Sequence, residues 1–105
     1  MATSRKYIEN FLEGIELFGV RVRPMMGDYV VYCMDKTVGC ICDERLFIKI
    51  TSASSALLEG APKLPPYVGA SERYLVENGD KKFLAELFKA IAAEVREKSA
   101  NESTT

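Results

Sequence analysis

VRPMMGDYVVYCMDKTVGCICDERLFIKI, residues 22–50, decides the fold. Residues 29–33 read YVVYC, aromatic and β-branched without a break, which is the composition of a strand. Met34, Asp35 and Lys36 supply a turn, and residues 37–42 return as a second strand. Asp43 and Glu44 turn the chain again into a third, residues 45–50. Ahead of these, residues 20–24 are extended, with Pro24 marking a sheet edge or a bend. Gly27 takes a bulge or a positive-φ position.

Register turns these strands into faces. If both turns carry an even number of loop residues, paired residues share a face. One face then carries Val30, Tyr32, Met34, Gly39, Ile41, Leu46, Ile48 and Ile50, which is core-like and should meet helices. The other carries Tyr29, Val31, Cys33, Val38, Cys40, Cys42, Arg45, Phe47 and Lys49, apolar in the middle and charged at one end. An odd turn would exchange the faces of one strand. Within the second face, Val31, Val38, Cys40 and Phe47 make an apolar patch of a kind that monomers seldom expose. A homodimer with a two-fold interface would bury it. On this reading Val38→Lys splits the dimer and leaves the fold intact.

Helical patterns flank the strands. Tyr7, Ile8, Phe11, Leu12, Ile15 and Phe18 recur at helical spacing, with Thr3 or Ser4 as N-cap and Gly19 as a left-handed stop. A short helix begins at Thr51 or Ser52 and closes at Gly60 and Pro62. KLPPYVGA follows as an edge segment or ordered loop, because paired prolines forbid a central strand. Residues 73–76 form a short strand, and Asp80 caps a last helix lined by Phe83, Leu84, Leu87, Phe88, Ile91, Ala92 and Val95. The expectation is an α+β fold: two layers, an antiparallel sheet with helices, in the order α-β-β-β-α-β-β-α. Residues 1–98 form a single domain, and 99–105 a disordered polar tail.

Composition narrows the function. A chain of 105 residues, 48% hydrophobic and 28% charged, is globular and has room for one core. No apolar run reaches the ~20 residues that span a bilayer, and Glu9 falls where a signal peptide would be apolar, so a cytoplasmic protein without membrane contact is expected. The net charge of -1 is spread evenly along the chain, which argues against direct nucleic-acid binding. Without histidine, Ser–His and Cys–His catalysis and the HExxH and Cys₂His₂ zinc sites are excluded within one chain. Three cysteines without a leader argue against a disulfide framework.

The remaining chemistry is sparse. Cys40 and Cys42 point one way on a strand, and Cys33 on its neighbour would complete a three-thiol cluster, although free cysteine more often fills an apolar face. Asp28 and Asp43 at strand ends offer a carboxylate pair for acid–base work or a hard cation; solvated strand-end charges are the plainer account. Met25 and Met26 form an adaptable apolar corner or pack under the first helix. Pro65, Pro66 and Tyr67 form a presented recognition loop or a rigid connector. No metal, cofactor or catalytic residue is expected, and an enzyme or metal protein using Asp28, Asp43 or the thiols is the rival reading.

The string as a whole resembles the N-terminal domain of the TfoX/Sxy competence-regulator family. Members read approximately R-x-M-[MF]-G-x-Y, a strand, a turn, a second strand and D-[DE]-R-L-x-x-K. The matching positions are Arg23, Met25, Met26, Gly27, Tyr29, Asp43, Glu44, Arg45, Leu46 and Lys49. LPPYVGASERYLVE and FLAELF resemble the later part of the same domain, so the likeness runs from residue 4 to residue 98. It implies the same order of helices and strands. It also implies a stand-alone regulatory module, tied to transcriptional control of DNA uptake and acting through an unidentified protein partner.

Overall fold

A computed structural model describes the backbone of residues 3–103 and the side chains of residues 3–94. The element order is α1 (Arg5–Leu12), a 3₁₀ turn (Glu16–Phe18), β1 (Val20–Met25), β2 (Asp28–Cys33), β3 (Lys36–Cys42), β4 (Arg45–Ile48), α2 (Ser52–Leu57), β5 (Lys63–Leu64), β6 (Arg73–Val76) and α3 (Lys81–Ser103). The strands form one antiparallel sheet in the order β1-β2-β3-β4-β6-β5, with the helices layered on one side. This is the expected α+β architecture, and the extended stretch before Gly27 is a full edge strand. α3 runs on through Ser103, past the expected start of a polar tail; residues 104 and 105 lie outside the described part.

Three hairpins in a row build β1 to β4. Each loop has two residues, and both lie at positive φ: Met26 and Gly27 (50° and 90°), Met34 and Asp35 (50° and 66°), Asp43 and Glu44 (53° and 57°). That is the type I′ pattern, whose twist matches the twist of the paired strands. Glutamate rarely sits there, and a network around the N-terminal residues holds it. Thr3 Oγ1 accepts from the Glu44 N–H (3.1 Å) and donates to Asp28 Oδ1 (2.9 Å). Asp28 Oδ1 also accepts from the Asp43 N–H (3.1 Å), and the Ser4 N–H donates to Glu44 Oε2 (3.2 Å). Hydrogen bonding from Ser4, its side chain first and then its backbone N–H, holds the Glu44 carboxyl below the usual glutamate range.

The first turn is Met34 and Asp35 alone, since Lys36 already belongs to β3, so both turns are even as the face assignment supposed, yet β2 faces the other way. Cys33 pairs with Lys36 and Tyr32 with Thr37, as a two-residue loop dictates. Beyond them the register shifts, and Val31 pairs with Gly39. Val38 is the extra residue of a β-bulge, and the shift reverses which β2 side chains share a face with Ile41. Val31, Cys33, Val38, Ile41, Leu46 and Ile48 therefore all join the helix-covered core. Val30 and Tyr32, expected under the helices, lie on the opposite face. The patch of Val31, Val38, Cys40 and Phe47 does not exist as one surface: Val31 and Val38 are fully buried against the helix layer.

Helix packing follows the apolar spacing. Ser4 caps α1 by accepting from the Tyr7 N–H, and the helix stops at Leu12, before the left-handed Gly14. Leu84, Leu87, Phe88 and Ile91 of α3 are buried on the sheet, with the Phe88 ring 6.1 Å from that of Phe11. Thr51 and Ser54 form a reciprocal capping box on α2, and the buried Ser54 hydroxyl donates to the Lys49 carbonyl. α3 is pinned to both other helices. The Lys81 ammonium donates to the carbonyls of Asn10, Phe11 and Glu13 at 2.6–2.9 Å, satisfying the open end of α1. Glu94 Oε1 accepts from the Ala53 N–H in the first turn of α2. Bonds to a charged group contribute about 1.5–3 kcal/mol each, so Lys81 is a substantial tie between the first and last helices.

Candidate functional site

Strand alternation assigns the sheet face opposite the helices. Arg21, Arg23 and Met25 of β1 pair with Tyr32, Val30 and Asp28 of β2. Val30 pairs with Cys40, and Cys40 with Phe47. On β6, Tyr74 and Val76 point to the helices, so Arg73 and Leu75 take the open side. Among the described residues no helix covers this face, yet part of it is dry. Cys40, Cys42 and Phe47 are buried in a second small cluster with Leu64 and Leu75. The Arg45 guanidinium lies 5.4 Å above the Phe47 ring and shields it from the solvent side.

The segment after β5 bends back over the rest. Pro66 is buried, and Tyr67 and Ser71 wall a groove of about 400 Å³ whose floor holds Val30, Thr37, Cys40 and Arg73. Met25 closes the opposite side. Tyr67 is 57% exposed, and the chain neighbours of the lining residues Met25 and Tyr67 are apolar and exposed: Met26 is 99% exposed and Val68 100%. The methionine corner thus faces solvent and does not pack under α1. Pro66 and Tyr67 line the groove while Pro65 is exposed outside its lining, a role closer to the presented loop than to the connector.

The thiols separate. Cys33 lies in the helix-side core, on the opposite face from Cys40 and Cys42, so the three do not cluster. Cys42 and Cys40 are 3.8 Å apart at sulfur. Burial, and then the neighbouring Cys40, push the Cys42 thiol up to about 12, so it stays protonated and a poor nucleophile near neutral pH. Burial raises Cys40 and Cys33 as well, against the opposing charges of Arg73 and Lys89. Among the described residues, no group of three or more Cys, Asp and Glu side chains is placed to hold a metal ion.

Asp28 and Asp43 do come together, through the main chain. The Asp28 carboxylate accepts from the Asp43 N–H and from Thr3, which makes it a clamp on the β3–β4 turn. Of the other positions in the resemblance, Arg23 and Arg45 are exposed on the open face, and Tyr29 and Lys49 are half-buried. Gly27 sits in the β1–β2 turn with φ 90°. Sequence reasoning missed Arg73, Thr37 and Ser71 in the groove and Thr3 in the clamp. The alternation of Arg73 with buried Tyr74 and Val76 was the available signal for the first. Nothing local marks Thr3, whose partners lie 25 and 41 residues away.

No known family profile matches the chain. It is 36% identical over 59 residues to a protein of Spirochaeta aurantia described as an uncharacterized 12.7 kDa protein in the trpE 5′ region. The match takes in 56% of this chain and 51% of that protein, so the chain spans about half the length of the curated relative it matches. No helix among the described residues is long and apolar enough to cross a membrane.

Proposed function

We propose that this chain is a regulatory module of the TfoX N-terminal kind, working in the cytoplasm by protein contact, with a second copy of itself as partner. One observation carries the reading: Met26 and Val68 are almost wholly exposed beside a groove that their chain neighbours Met25 and Tyr67 line. Methionine and aromatic side chains gathered at one corner suit an adaptable contact surface. This corner replaces the Val31, Val38, Cys40 and Phe47 patch as the dimer face. A role in transcriptional control of DNA uptake rests on the resemblance through Arg23, Met25, Met26, Gly27 and Tyr29. The rival, an enzyme or metal protein, finds Asp28 engaged in a turn and the thiols split between two faces.

Light scattering and sedimentation over a concentration series test this. The expected result is a dimer with Kd tighter than about 1 mM. Met26→Glu and Val68→Glu should each weaken it about tenfold or more with the far-ultraviolet circular dichroism unchanged, as removal of an interface anchor does. A monomer throughout the series, or a dimer indifferent to both substitutions, contradicts the proposal.

A further inference from the structure

We propose that the groove on the open sheet face binds a small monocarboxylate with an apolar body, held by Arg73. Arg73 is a half-buried arginine on β6, and its Nη1 is shut away from solvent with no acceptor among the described residues. An enclosed guanidinium N–H without an acceptor is costly, and a carboxylate that draws the guanidinium round into the groove, where Nη1 becomes reachable, is the group whose geometry suits it best. Among the described residues Arg73 is the one charged side chain in the groove lining, and the nearest carboxylate on that face, Asp28, is engaged by Thr3 and the Asp43 N–H. One cation points to one negative charge.

The remaining lining describes the rest of the ligand. Thr37 and Ser71 add hydroxyl donors to the groove, while Met25, Val30, Pro66 and Tyr67 present apolar surface. At about 400 Å³ the groove has the size of a small-molecule site. A phosphate monoester fits poorly, because two negative charges would meet one guanidinium and no lysine or helix terminus. The site lies on the floor of the groove and the dimer contact beside it. A monomeric protein that still binds carboxylates therefore keeps this inference and loses the contact reading.

Titration of the full chain with hexanoate and with benzoate, followed by amide nitrogen–proton NMR spectra, tests it, with inorganic phosphate in a parallel series. Saturable shifts confined to β2, β3 and residues 66–73 are expected with both carboxylates, and weaker ones with phosphate. Arg73→Met should weaken binding about tenfold or more, the loss that goes with removing a charge-assisted pair. Met25→Glu, on the edge strand β1 with a partly exposed side chain, sets a negative charge at the groove wall and should do the same. If Arg73→Met does not fold, Met25→Glu decides. No saturable shift, affinities that neither variant changes, or phosphate bound as tightly as the carboxylates would overturn the assignment.

Discussion

Gly39→Ala should destabilise this protein by about 3 kcal/mol or more, although alanine is the smallest change available there. A Cβ at Gly39 would fall 2.2 Å from the Phe47 carbonyl oxygen and 3.2 Å from the Ile48 Cα. Both are backbone atoms, so no rotamer change relieves the contact, and β3 would have to part from β4. The cause is closeness and not dihedral freedom, since Gly39 is not among the residues with positive φ. Against a typical total of ~5–15 kcal/mol, such a loss is a large fraction. Thermal unfolding followed by circular dichroism should show a midpoint lower by roughly 15 °C for a domain of this size. A midpoint within about 3 °C of wild type would mean the two strands are not this close.

Val38→Lys should do more. Val38 is fully buried in the core between the sheet and the helices. Removing it gives up about 1.5–3 kcal/mol of apolar burial. An ammonium in its place must be desolvated, or reach water by forcing the layers apart. A combined cost above about 4–5 kcal/mol is expected, enough to leave much of the chain unfolded near room temperature. The sequence alone led to the opposite expectation, a folded monomer released from a dimer. A Val38→Lys protein with the wild-type urea midpoint would restore that earlier reading and remove this one.

The difference between those readings is one inserted residue. Strand identity, the turns at Asp43 and Glu44, the caps at Ser4 and Thr51 and the apolar face of the last helix were all legible, because each depends on nearby residues. Face assignment depends on register, and register accumulates every irregularity between two strands. The bulge at Val38 was signalled only by its neighbour, since a glycine inside a strand often marks a bulge or a close backbone approach. Gly39 turns out to mark both. The candidate site was less legible still. Its groove is closed by residues 66–71, far along the chain from Met25 and Val30, and its arginine lies in a four-residue strand. Asp28 and Asp43 were rightly put near each other, but the bond between them runs to a backbone N–H, which side-chain chemistry does not announce.

Both the contact reading and the carboxylate site require that Val30, Cys40 and Arg73 share the open face while Val31 and Val38 lie under the helices. Methyl NOE spectroscopy of the wild-type protein measures that directly. Cross-peaks from the Val38 and Val31 methyls to the core side chains of α3, Leu87, Phe88 and Ile91, with Val30 connected instead to Cys40 and Tyr67, are the result expected here. Val30 methyls in contact with α3, and Val38 with residues 66–71, would contradict it.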